Sequence, residues 1–248
     1  MSRCGRRRLL STAALFEAQC GFARPGWRKT PLAPPKAVDA HVIAVVASPP
    51  DSWSTAAHLT APLDAFHAQL CRVEHNQVVK VSLAQPASSH RALAPGSFIL
   101  ARPNHAVVIR ADAAAAADAA DVAQRLARVV AGLAPLDDGS LAVESLGDRR
   151  ILFVCCHGAV DRRCGVCGPK LLAQIAADAR IEAHAISHVG QHESAPNVMA
   201  LHRGRWLWFG FVALEQARDL TDWLAAGADP LANVSPALRP LVRGTHFA

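Results

Sequence analysis

Residues 155 to 192 of this 248-residue chain concentrate its most chemically capable side chains. The segment FVCCHGAVDRRCGVCGPKLL holds Cys155, Cys156, His157, Cys164 and Cys167, and about twenty residues further SHVGQH supplies His188 and His192. Cys155 closes an apolar run of strand length, and Cys164 stands nine residues later, close to the expected start of a helix. The positive end of a helix dipole favours thiolates, lowers their pKa and prepares them as metal ligands. Gly158, Gly165 and Gly168 let the loop take angles other residues avoid and approach a bulky group closely. His188 and His192 would share one face of a helix, yet Gly190 between them and Ser194-Ala195-Pro196 after them indicate a loop. Such a loop brings the imidazoles together only by folding around something. Two thiols and two imidazoles near neighbouring strand ends point to a metal centre.

The pattern V-C-x-H-G-x-x-D-x-x-C-G-x-x-G-P runs from Val154 to Pro169; H-V-G-x-H follows at His188 to His192, and A-x-N-V at Ala195 to Val198. Together they resemble the sucrase/ferredoxin-like family of thioredoxin-like [2Fe–2S] proteins, closely over residues 150–212 and in general terms over 40–140. The resemblance implies Cys155, Cys164, His188 and His192 as ligands of a [2Fe–2S] cluster. Cys156 and Cys167 are not required by the pattern, and Gln191 stands where glycine is common. With two thiolates and two neutral imidazoles the oxidised centre is close to neutral. It should accept an electron more readily than a dianionic all-cysteine cluster, in the Rieske range of roughly −150 to +300 mV rather than about −400 mV. An imidazole nitrogen that can lose a proton should also couple the potential to pH.

Two other readings stay open on spacing alone. Cys164, Cys167, His188 and His192 have the ligand types of a structural zinc site, with about twenty residues between the pairs rather than about twelve. Cys164-Gly-Val-Cys167 at a helix start could instead serve thiol–disulfide exchange, with Pro196 where such proteins often keep a cis-proline. Asp161, Arg162 and Arg163 read as a solvated loop, His157 as a donor to a sulfur or a surface histidine, and Trp206, Trp208, Phe209 and Phe211 as core. His67, Cys71 and His75 form a stripe at helical spacing without chemical meaning.

The elements around these motifs follow from periodicity. Strands are expected at 41–47, 78–83, 97–101 and 105–110, with a helix from 53 to about 73 that Pro62 kinks or divides, and an Ala-rich helix ending before Gly132. The order recurs: strands at 150–155, 181–187, 197–202 and 206–212, a helix over 169–179 with Pro169 at its first position, and an amphipathic helix over 214–226. This predicts an α/β protein of two tandem thioredoxin-like β-α-β-β-β-α units with mixed sheets. Residues 1–38 form a basic irregular arm, 39–140 a scaffold unit without cluster, and 141–248 the ferredoxin unit that carries the metal site. The loop after the first strand of the first unit contains no cysteine or histidine, so chemistry belongs to the second.

Composition bounds the function. The net charge of +6 arises in residues 1–38, which carry +7 and leave the rest at −1, so a basic nucleic-acid-binding face is not expected. The Ala-rich run is broken by Asp112, Asp118, Asp121, Arg125 and Arg128, which excludes a membrane span there. Arg6 to Arg8 before Leu9 and Leu10 lack the cleavage site of an export signal, and seven cysteines, an odd number, suit a reducing compartment, the cytoplasm. The expectation is a one-electron carrier rather than an enzyme, working with a reductase and an electron acceptor.

Overall fold

Strand β1 (Ala40–Val45) sends Val42 and Ala44 to one apolar cluster and Ile43 and Val45 to another. It is apolar throughout because both its faces are buried. Strand β6 (Arg150–Cys155) does the same, with Leu152 and Val154 on one side and Ile151, Phe153 and Cys155 on the other. The computed structural model describes residues 33–55, 61–73, 76–87, 93–110, 118–136, 141–226, 233–245 and 247; at Ala119 and His192 it describes the backbone.

Between and around these strands lie α1 (Leu63–Leu70), β2 (Val79–Pro86), β3 (Phe98–Arg102), β4 (His105–Arg110), α2 (Ala119–Val130) and β5 (Ala142–Ser145). After β6 come α3 (Arg162–Ala176), β7 (Glu182–Ile186), β8 (Val198–His202), β9 (Arg205–Phe209), α4 (Ala217–Ala225) and β10 (Val242–Gly244). The β-α-β-β-β-α order is present in each half. Instead of separate sheets, however, the described strands form one mixed sheet in the order β10-β9-β8-β6-β7-β2-β1-β3-β4-β5. The halves join through antiparallel pairing of β2 with β7, where Ala84 faces Ile186 and Pro86 faces His184.

The four described α-helices pack on one side of this sheet, through Leu63 and Phe66 of α1, Val122 and Leu126 of α2, Leu171 and Ile175 of α3, and Leu220 and Leu224 of α4. Each such side chain contributes about 1.5–3 kcal/mol on burial. On the other side the halves close on each other. His41 of β1 and Trp206 of β9 have ring centroids 6.2 Å apart, and a Cβ on Gly204 would stand 2.7 Å from the Asn104 carbonyl oxygen. Trp206, Trp208, Phe209 and Phe211 are core, as expected. Among the described residues no helix is long and apolar enough to cross a membrane.

Several boundaries differ from expectation. Trp53 is not helical but packs, buried, in the turn after β1, and α1 starts only after Pro62. Helix α3 begins at Arg162 and carries Pro169 inside it, so the C-G-x-x-G-P segment from Cys164 to Pro169 lies within the helix. Asp161, expected to be solvated, is its N-cap, accepting from the Arg163 backbone N–H at 2.9 Å while the Arg163 guanidinium lies 2.8 Å from its other oxygen. Edge strands β5 and β10 were not anticipated; β5 is exposed along its length, so no apolar alternation marks it. Residues 1–32 and 111–117 lie outside the described residues.

Candidate metal centre

Cys155 and Cys164 reach one point from two directions. Cys155 ends β6 on the face away from the helices, and Cys164 enters the same apolar cluster from the first turn of α3; both are fully buried. The Cys155 sulfur accepts hydrogen bonds from the Cys164 thiol, from the His188 side chain and from the backbone N–H of His157. These hold its pKa well below the ordinary thiol range, the Cys164 bond contributing most, against the opposing effect of burial. Cys164 is pushed far up in turn, first by that same bond, then by burial and by the negative charge on Cys155. The two sulfurs hold one proton between them. The Asn197 backbone N–H also bonds the Cys164 sulfur.

The glycines of the motif serve a purpose other than the one expected. Gly158, Gly165 and Gly168 are absent from the left-handed positions. A Cβ on Gly165 would stand 2.5 Å from the Gly158 Cα, and one on Gly168 would stand 2.2 Å from the Cys155 carbonyl oxygen. They let α3 lie directly on the end of β6. Gly190 and Gln191 do adopt positive φ, +89° and +54°, and turn the histidine loop back on itself.

His157 latches the site. Its Nδ1 accepts the His188 backbone N–H at 3.0 Å, so its Nε2 carries the proton and donates to the Trp53 carbonyl oxygen at 3.3 Å. The ring therefore fixes the His188 backbone and ties it to the first half, while its backbone N–H, not its ring, reaches a sulfur. Burial lowers its pKa, keeping it neutral.

The remaining sequence candidate, His192, opens a 3₁₀ turn, His192–Ser194. That turn is clamped by groups sequence reasoning missed. The Asn197 side-chain amide donates to the Gly190 and Gln191 carbonyls at 3.4 and 3.2 Å, and its backbone carbonyl accepts the Cys155 N–H at 2.9 Å. One residue thus braces both thiols and the histidine loop. Buried Arg243 of β10 donates to Ser194 Oγ at 2.6 Å and to the Ala33 carbonyl at 3.0 Å. Gly210 makes room, since a Cβ there would stand 2.7 Å from the Ser194 Cβ and 2.9 Å from the Arg243 Cδ. Asn197 belongs to the A-x-N-V motif, whereas Arg243 lies in no motif of the sequence. The Ala195–Pro196 peptide is cis, at the place the sequence suggested.

The other cysteines stand apart: buried Cys167 is disulfide-bonded while Cys164 is free, so the Cys164-Gly-Val-Cys167 pair expected for thiol–disulfide exchange is not a disulfide here. Cys156, buried among the helix-facing residues, has its pKa raised by burial and by the charge on Cys155. Cys71 lies 3.7 Å from His67 Nε2 on the exposed side of α1; His75, Cys4 and Cys20 are outside the described residues. Clefts of about 270 and 470 Å³ open at the far end of β6 and β7 and between α3 and α4, where Arg149 and Arg180 are already paired with Glu182 and Asp178.

Among the described residues no three His, Cys, Asp or Glu side chains are grouped as a single metal ion requires. Cys167, which a zinc site would need as a thiolate, is disulfide-bonded here. Neither observation weighs against a [2Fe–2S] cluster, whose two irons each take two protein ligands. A touching thiol pair, an imidazole beside it and backbone N–H groups aimed at both sulfurs fit that group.

Comparison with known proteins agrees with the motifs. The family model for sucrase/ferredoxin-like proteins matches residues 34–239. A relative from Meyerozyma guilliermondii, altered inheritance of mitochondria protein 32, is 35% identical over 80 residues, which cover 29% of this chain and only 28% of that protein. No solved structure matches.

Proposed function

Because the chain belongs to the sucrase/ferredoxin-like family, we propose that it holds a [2Fe–2S] cluster through Cys155, Cys164, His188 and His192 and acts as a one-electron carrier. The observation that carries this reading is that the buried Cys155 sulfur is hydrogen-bonded both by Cys164 of α3 and by half-buried His188 of the loop after β7. When bound, the cluster supplies a one-electron couple of Rieske-like potential that depends on pH.

The protein's own groups prepare the site for it. Cys164 keeps its proton and donates it in the shared bond, which stabilises Cys155 as the anion, and the N–H groups of His157 and Asn197 stabilise negative charge on the sulfurs. The neutral His157 ring sets where His188 stands, and burial among Phe153, Met199 and Trp208 keeps water out. We read each β-α-β-β-β-α half as a thioredoxin-like unit, the first a scaffold and the second the carrier. A reductase and an acceptor would complete its electron path, in a reducing compartment such as the cytoplasm.

The test is colour. Protein purified from an iron-replete host should be red-brown; Cys155→Ser and Cys164→Ser should bleach it, while Cys156→Ser and Cys167→Ser should not. A colourless chain with one zinc, lost in Cys167→Ser, would replace this reading by the zinc one.

A further inference from the structure

Lys80 belongs to β2 of the first half, but its surroundings belong to the second. Val79 and Val81 pack against the helix-side core, so strand alternation turns Lys80 to the opposite face, the one that holds Cys155 and Cys164. Residues after β7 continue alongside β2: the Leu83 N–H donates to Ser187 Oγ at 2.9 Å and the Ser187 N–H to the Leu83 carbonyl at 2.8 Å. That register carries the histidine loop past Lys80. Its Nζ lies 3.6 Å from where a Cβ on Gly190 would stand and 5.8 Å from the centroid of the Trp208 ring.

An ammonium drawn into such a place loses hydration and needs a compensating partner. Burial lowers the Lys80 pKa to about 8, the negative charge of Cys155 pulls it back up and Lys36 pushes it down. Lys80 therefore carries its charge at neutral pH, with a cysteine sulfur as its strongest electrostatic attraction.

Resting on the cluster reading above, we infer that Lys80 is a positioning residue for charge: the first half lends its ammonium to the second half's metal centre and raises that centre's reduction potential. On reduction one electron enters the site from an external donor and no proton moves to or from Lys80. The site gains one negative charge, and a nearby fixed cation favours that state.

Stepwise dithionite titration of the cluster-loaded full chain, followed by visible absorption, tests this. Lys80→Met should lower the equilibrium constant for reduction about tenfold, equivalent to about 59 mV for one electron. Lys80→Arg should stay within threefold of the parent and exposed Lys36→Met within twofold. A Lys80→Met protein that keeps its visible spectrum and reduces within twofold of the parent overturns the inference. So does one that melts like the parent but holds no cluster, because Lys80 then acts in assembly rather than on potential. Should Lys80→Met not fold, Lys80→Arg decides, and a shift beyond threefold overturns the inference. Failure of the cluster reading shows separately, as a parent protein without iron.

Discussion

Val45 and Cys155 occupy the same place in two copies of one backbone plan. Each ends the central strand of its half; the Val45 N–H bonds the Ser97 carbonyl at 2.8 Å as the Cys155 N–H bonds the Asn197 carbonyl at 2.9 Å. The next residues, Val46 and Cys156, likewise donate to Ala84 and Ile186 and both face the helices. Only the side chains differ, valine, valine and alanine against cysteine, cysteine and histidine. The difference teaches that the fold supplies a buried strand end facing a helix start, and that chemistry there depends on a few substituted positions. It also shows that the first half is no idle copy, since Trp53 receives the His157 ring and Lys80 reaches Gly190 of the histidine loop.

The largest effect should come from the helix that one half presses onto its strand. Gly168→Ala sets a Cβ 2.2 Å from the Cys155 backbone and should cost about 3 kcal/mol, read as a lower urea midpoint with loss of iron. Gly132→Ala in the first half meets nothing within 4 Å and should cost only about 1 kcal/mol for its φ of +76°. Equal losses would erase the distinction between the halves.

His157→Phe comes next. It removes the acceptor of the His188 N–H and the donor to Trp53, and should cost about 2 kcal/mol together with 10–100-fold weaker metal retention, followed as iron loss to a chelator. Ala47→Ser, at the matching position of the first half, should change neither.

Arg243→Met frees Ser194 and the Ala33 carbonyl and should cost about 1.5 kcal/mol in urea unfolding, with faster iron loss than the parent. The smallest effect is on pH. Burial lowers the pKa of His202, whose counterpart in the first half is Arg102. The unfolded chain then binds more protons just below the ordinary histidine value of about 6.5. Stability is full above that pH and declines as pH falls through it. Urea midpoints at pH 7.5, 6.5 and 5.5 should slope less in His202→Phe, and an unchanged slope would show that His202 does not titrate in this range.

Much of this was written in the sequence where one interaction dominates. Continuous apolar runs marked β1 and β6 because both their faces are buried. The duplicated order of elements followed from those runs and the helices between them. Pro169 and the three motif glycines misled, since local propensity places a helix after them, whereas packing on the strand end carries α3 through them. Arg243 was illegible because its worth lies in contacts with residues 194 and 33, far away in the chain. Lys80 was hidden likewise, one lysine in an alternating strand, given meaning by the register between the halves.

Iron and acid-labile sulfide counted per chain, with electron paramagnetic resonance before and after one-electron reduction, test the central claim most directly. Two irons and two sulfides, silent when oxidised and showing one unpaired electron per chain when reduced, are predicted. A single metal without sulfide, or no iron at all from an iron-replete host, would contradict it.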